Sequence, residues 1–512
     1  MKRKRTVRTA AGLMASVLAM TALVTACGGG KAGQTSGGAS GGPLEVSIMT
    51  ILLNPTPPAD DNKIKQAIEK ATNSKLKIQW VSGNNYDDKL NVTLASGDIP
   101  ELTFIKDPFS SVFRNAVTQG AFWDVGPYIK DYPNLSSKIS KTAWDLTKMQ
   151  DGKNYGVPRP RPSEGDPFFI IRKDWLDKLG LKPPTTTDEL YNVMKAFAEK
   201  NPGGNGAVPM TAYVNPSDMG SLGQIENAFT GANGAYNASW KLQDGKLTFT
   251  PFLPETRNAL EYITKLYKEK LIPEDFASLK LSQANDLFKG GKAGIIVDKA
   301  GTMSDYYDKL KAIDPNFKQS DFYPLTSING YNPKGAGFSG LMAIPKSVPE
   351  AKMKQILKLM DTWMNDDVFA IQQYGFEGTD YTVKDGVKVI NTEQLNKDGG
   401  PDFNQIVYVA DPYASSNKVY FPKEINELYK KIQDDRAKTS VADVSIGLYS
   451  PTAQKILPEL SKKIQDMKTK IILGREPITS WDAFTAQLKA DPDVTKMIQE
   501  MNDAYQKRNA AK

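Results

Sequence analysis

The chain has 512 residues, 40% of them hydrophobic and 24% charged, with 65 Lys and Arg against 58 Asp and Glu for a formal charge of +7. It holds no histidine and a single cysteine. That excludes imidazole or thiolate zinc sites, Ser-His-Asp triads, Cys-His dyads and internal disulfides. Carboxylate, lysine, tyrosine or serine-lysine chemistry survives, as does a metal site made of carboxylates and carbonyls.

In chain order, the basic head Met1-Lys2-Arg3-Lys4-Arg5 precedes an apolar run over 10–24 and the small residues Thr25 and Ala26. This is the order of a secretory signal peptide, 1–26, and the run is shorter than the ~20 residues of a membrane span. Val24-Thr25-Ala26-Cys27 resembles the bacterial lipobox, in which the thiol is lipidated and becomes the new first residue. The alternative is a cysteine fallen by chance in an ordinary signal peptide. Residues 27–43 then comprise the lipidated Cys27 and a flexible Gly/Ser tether. The expected location is the extracellular face of the cell membrane, lipid-anchored. Removing 1–26 takes five cations and no acid and leaves +2, a balance without a nucleic-acid footprint. What remains exceeds the ~250–300 residues one core supports, so two or more lobes are expected.

Residues 44–53 (LEVSIMTILL) read as a strand, 60–71 (DDNKIKQAIEKA) as a helix with an apolar stripe, 75–81 as a strand, 86–95 as a helix stopped near Gly97, and 101–105 as a strand. This alternation predicts a parallel sheet flanked by helices, which binds ligands beyond the carboxyl ends of its strands. The loops after Leu53 and Ile105 are therefore functional candidates. Farther on, 168–172 predicts a strand, 173–179 a helix, 187–199 an amphipathic helix capped by Thr187, 254–270 another helix, 292–297 a buried strand, 335–344 a strand and 350–365 a helix. The last 90 residues read as mostly helical.

The strings ASGDIPEL (95–102), DGKNYGVP (151–158), IRKDWLDKLGLKPPTTTDEL (171–190), LYKEKLIPEDF (266–276), KAGIIV (292–297), YGFEGTDYTVKDG (374–386) and ILGREPITSWDAF (472–484) resemble the lipoprotein-type extracellular solute-binding proteins of family 1. That family serves carbohydrate ABC importers in Gram-positive bacteria. The resemblance implies an α/β, two-lobed, periplasmic-binding-protein-like fold of class II type, each lobe a sheet flanked by helices, joined by a multi-segment hinge. The first lobe would take 44–162 plus 335–412 and the second 163–334 plus 413–512, with crossings near 159–167, 323–334 and 411–418. It also implies a monomer that closes on a mono- or oligosaccharide and delivers it to ABC permease subunits, without catalysis and without a cofactor.

Sugars present flat apolar faces and adjacent hydroxyls, which aromatic rings and planar polar groups recognise. Lys106, Asp107 and Phe109 follow the third strand, where sugar binders such as maltose-binding protein place a charged pair; the string also reads as a solvated turn. Asn54 follows the first strand, in what is otherwise an Asn-Pro turn. Arg159 and Arg161 in VPRPRPSE are held extended by prolines and suit a carboxylated sugar such as a uronate. Asp298, Lys299 and Met303 follow KAGIIV, where relatives often carry a stacking tryptophan and this chain has Ala300-Gly301. The ring would then come from Trp240, Tyr374, Tyr413 or Tyr449, with Asn215 as a further planar amide. Trp175, Trp363 and Trp481 read as core, and Trp80 and Trp123 as packing. Relatives have an oxygen-rich loop where this chain has EKNPGGNGAVP (199–209); with no acid after Gly206, no metal is expected. A secreted glycoside hydrolase with a carboxylate pair, or a peptide-binding protein of the same fold, are the alternatives.

Overall fold

Strand β1, Leu44–Leu52, opens the described part of the chain with Val46, Ile48 and Met49 fully buried, because its aliphatic residues are covered on both faces. The structure is a computed structural model and describes residues 42–510 except 235, 236, 238, 385, 386 and 414–421. The signal peptide, Cys27, nearly all of the tether and most of the expected crossing at 411–418 lie outside the described residues. β2 is Ser74–Ser82, β3 Leu102–Ile105 and β4 Val157–Pro160. β5 is Phe168–Arg172 and β6 Val208–Met210, followed by a hairpin of β7, Trp240–Gln243, and β8, Lys246–Phe249. β9 is Ala293–Asp298, β10 Phe322–Pro324, β11 Asn332–Lys334 and β12 Phe338–Ala343. A second hairpin pairs β13, Tyr381–Lys384, with β14, Val387–Ile390, and β15 is Ser440–Ala442.

Two sheets organise two lobes. One has the order β2-β1-β3-β12-β4, the other β10-β5-β9-β6. β1 runs parallel to β2 and β3, as the strand-helix alternation requires. β12, however, lies antiparallel to both β3 and β4, so the sheet is mixed rather than parallel. A strand that returns from the other lobe enters from the opposite end, which the local pattern of the first sixty residues does not encode. Gly340 makes this entry work: at φ +71° it sits in a register shift, where a Cβ would stand 2.5 Å from the Ile105 carbonyl oxygen.

Helix starts follow side-chain caps. Lys63–Thr72 begins later than the 60–71 pattern suggests because Asn62 caps it, accepting from the Lys65 N–H at 3.0 Å. Thr186, not Thr187, caps Thr187–Lys200, accepting from the Glu189 N–H at 3.2 Å; Thr187 is instead buried at the first helical position. The C-terminal helices Pro451–Ile472, Thr479–Ala490 and Pro492–Ala510 pack on the second lobe.

The apolar cores divide in the same way. One gathers residues from 46 to 157 and from 341 to 407, and two others gather 168–331 together with residues from 425 to 501. Trp363, Trp481 and Trp175 are buried in them, and Trp80 and Trp123 pack against the first. Among the described residues no helix is long and apolar enough to cross a membrane.

Candidate functional site

Between the two sheets the chain passes twice in adjacent, hydrogen-bonded segments. Residues 161–167 carry it from β4 to β5, and the return from β10 to β12 passes alongside, with the Arg161 N–H on the Gly337 carbonyl at 2.9 Å and the Gly335 N–H on that of Ser163 at 2.7 Å. β15 joins as a third segment, parallel to β11. The residue composition explains the location: Pro162, Gly165, Gly335 and Gly337 prevent this stretch from extending either sheet.

A cavity of about 430 Å³ opens at these crossings, within the range of small-ligand sites. Its wall includes Arg161, Glu164, Asp166, Asn233, Lys299 and Lys334. Phe338, Ser339, Asp443 and Ile446 complete the part that matters below. It lies where β4 and β9 end and β12 and β5 begin, the carboxyl ends of the strands that run the same way as β1. Three cations face three carboxylates across it. Lys299 approaches Asp166 at 3.7 Å and Lys334 approaches Glu164 at 3.5 Å, both long pairs between a partly exposed lysine and a more buried acid. Burial pushes the Asp166 and Asp443 carboxyls up, with the Lys299 charge opposing this at Asp166 and hydrogen bonds from Ser445 opposing it at Asp443. Arg161 spends Nη1 on the Pro160 carbonyl at 2.8 Å and stacks on Tyr408 at 4.3 Å, and burial holds its pKa down. A larger cavity of about 650 Å³, between Glu45, Lys77, Glu101 and Lys352, sits at the amino ends of β1 and β3, away from the crossings.

The sequence candidates separate on this frame. Arg161 and Lys299 line the cavity. Phe109 stands just behind it, edge-on to Phe338 at 6.4 Å, and Tyr449 lies close by, under the same guanidinium as Phe109, that of Arg114. Arg159 requires correction. It is 5% exposed, its Nε donates to the Ser339 carbonyl at 3.0 Å, Nη1 to Gln405, and its guanidinium covers Phe104 at 4.2 Å. Burial first and the Arg161 charge second press its pKa down to about 9. It is a strut inside the first lobe and leaves no face for a ligand.

Trp240 and Met303 are corrections too. Trp240, 2% exposed, packs on Phe249 at 5.3 Å, and Met303, 1% exposed, faces into the third core, so neither offers surface. Asn54 is consumed by structure: its Nδ2 donates to Asp402 Oδ2 at 2.6 Å and to the Asn396 carbonyl at 3.3 Å. Asp298 accepts from the Tyr306 hydroxyl and from the Lys299 N–H at 2.7 Å. Asn215 closes a turn on Asp218 at 2.7 Å. Tyr374 lies under Lys388 at 4.4 Å, and Tyr413 donates to Asp434 at 2.8 Å.

Lys106 pairs with Asp87 at 2.6 Å and Asp107 accepts the Phe109 N–H at 2.8 Å, the solvated-turn arrangement. The loop 199–209 is a tight turn, with Asn201 at φ +47° and Gly203 against Trp175. Glu164, Asp166, Asn233, Lys334, Phe338 and Asp443 were not legible as site residues. The one available signal was that most of them lie in or beside the crossing segments that the family resemblance implied.

Residues 54–368 match the bacterial extracellular solute-binding protein family. The chain is 32% identical over 490 residues to Lipoprotein LipO of Bacillus subtilis (strain 168), covering 92% of this chain and 94% of that one. It is also 32% identical over 506 residues to the polygalacturonan/rhamnogalacturonan-binding protein YtcQ of the same organism, covering 96% and 98%. In fold it is similar to the HMO binding ABC-transporter associated solute binding protein of Bifidobacterium longum infantis ATCC 15697, with a TM-score of 0.70 at 20% identity over 91% of this chain and 99% of that one. The matched family is one of solute-binding proteins, which sets the hydrolase reading aside. Matched over more than half its length, with two lobes meeting at adjacent crossing strands and a polar cavity among them, the chain belongs to the bacterial extracellular solute-binding proteins.

Proposed function

We propose that this protein captures an acidic oligosaccharide, of the polyuronate class, in the cavity at the lobe crossings and hands it to an ABC permease while Cys27 holds it to the outer membrane surface by lipid. The observation that carries the reading is the set of three cations, Arg161, Lys299 and Lys334, that line one cavity. The acids nearest the two lysines, at 3.7 and 3.5 Å, are distant enough to be exchanged for a ligand carboxylate. The relative named for polygalacturonan and rhamnogalacturonan, similar along 96% of this chain, supports the same chemistry. Contacts from both lobes favour the closed arrangement when a ligand bridges them. Lipidation follows from the Val24–Cys27 string, since acyl chains contribute ~0.8 kcal/mol per buried methylene. The proposed lobe limits are 44–162 with 335–412 and 163–334 with 413–512.

Titration calorimetry with trigalacturonate and with neutral trisaccharides tests the ligand class. Binding of trigalacturonate is expected, weakened about tenfold by Arg161→Gln, the size of one lost charge-assisted hydrogen bond. Preference for a neutral sugar would refute it. Mass spectrometry of the mature N-terminus decides whether Cys27 carries acyl groups.

A further inference from the structure

Arg114 lies on the helix Ser111–Thr118, just past the loop that follows β3. Its side chain is 8% exposed, and its guanidinium lies over the Phe109 ring at 5.3 Å and the Tyr449 ring at 4.8 Å. Nε donates to the Phe109 carbonyl at 2.9 Å. Nη2 is buried and has no acceptor among the described residues. Asp107 attracts it, yet the Asp107 carboxylate already receives the Phe109 N–H at 2.8 Å. A buried cation with an unused donor is an unfavourable arrangement unless a partner arrives.

The two rings come from segments that pack on different cores. Phe109 packs edge-on to Phe338, which lines it. Tyr449 ends the segment begun by Asp443 and Ile446, which also line it, while Val444 and Leu448 of that segment pack on the second core. At Gly447, φ +80°, a Cβ would stand 2.8 Å from the Leu146 carbonyl oxygen and 3.6 Å from the Phe109 ring, so the segment is pressed onto the first lobe at this point. Arg114 is thus a guanidinium at the seam between the two cores, under an aromatic cover carried by the segment that packs on the second.

We propose that Arg114 reads a ligand carboxylate: Tyr449 covers it in this arrangement, and as a ligand enters the seam the ring turns to a sugar face while Nη2 donates to a uronate. The exchange is balanced in kind, a cation–π contact given up for a charge-assisted hydrogen bond and a ring-on-sugar contact. This assignment rests on the acidic-oligosaccharide reading above.

The test compares trigalacturonate with its methyl ester, by calorimetry, on the wild-type protein and on Arg114→Gln and Arg114→Lys, with melting curves of each variant alone. The wild type is expected to prefer the free acid about tenfold. Arg114→Gln should lower that ratio severalfold with ester affinity unchanged, the remainder being held by the cavity cations, and Arg114→Lys should keep more of it. A ratio unchanged in Arg114→Gln, or acid and ester weakened alike, overturns the assignment and leaves the acidic reading standing. Should Arg114→Gln not fold, the wild-type ratio persisting in Arg114→Lys overturns it. A wild type that binds the ester as well as the acid, or binds neither, overturns the acidic reading and this assignment together.

Discussion

Asp380 is fully buried, with Oδ2 accepting the Phe376 N–H at 2.7 Å and Oδ1 meeting no donor among the described residues. Burial, and after it the neighbouring Asp398 carboxyl, raise its pKa above the usual 3.8. The folded state therefore prefers the protonated acid. Its contribution is fully present below pH 3.8 and is lost as pH rises through the folded-state value. Asp380→Asn keeps a neutral side chain of the same shape, so its melting temperature should exceed wild type at pH 8, with the gap narrowing toward pH 4; a gap independent of pH would contradict this. Gly340→Ala must place a methyl group 2.5 Å from the Ile105 oxygen at positive φ, and should cost about 1–3 kcal/mol in urea unfolding. Arg159 and Arg161 show the limit of reading single residues. Both stand in the same repeated Arg-Pro unit, yet one faces Gln405 from 246 residues away and the other the cavity. Nothing local distinguishes them, because the partner that consumes Arg159 arrives by tertiary contact.

Elements were more legible than residues. Helical periodicity placed Pro254–Lys268 and Glu350–Trp363 within a few residues of their sequence limits, since that signal is local. Lys468 escaped that reading. In the helix Pro451–Ile472 it resembles any solvated lysine, but its side chain is fully buried, with Nζ 2.6 Å from Glu226 of the helix Gly223–Thr230 and 2.9 Å from Asn237. Lys468→Met alone strands the Glu226 charge and should cost about 3–5 kcal/mol. Adding Glu226→Leu should recover most of that loss, because the pair's attraction largely offsets its own desolvation. Urea denaturation of the single and double variants measures both, and a double variant as unstable as the single would refute the pairing argument.

At the scale of the whole molecule, a ligand held by both lobes couples their stability. Trigalacturonate at 100 times its dissociation constant should add about 2.7 kcal/mol to unfolding. Its affinity should fall between 0.05 and 0.5 M salt, as the screening length contracts to a few ångströms, while any neutral sugar would hold steady. Calorimetry at the two salt concentrations separates these outcomes. By itself the sequence determined the absence of imidazole chemistry, strands such as Leu44–Leu52 and Phe168–Arg172, helices such as Pro254–Lys268 and Glu350–Trp363 and, through seven strings in order, the family. Each of these is written in contiguous residues, where periodicity, capping and composition act over a few turns of chain. Only the tertiary structure decided that β12 enters against β3, that Arg159, Trp240 and Met303 face inward, and that Glu164, Lys299 and Lys334 line one cavity with Arg161. The strand entry, the burial of Arg159 against Gln405 and the joining of Lys299 and Lys334 to Arg161 depend on segments more than a hundred residues apart, and no local pattern specifies which of two faces such a segment will cover.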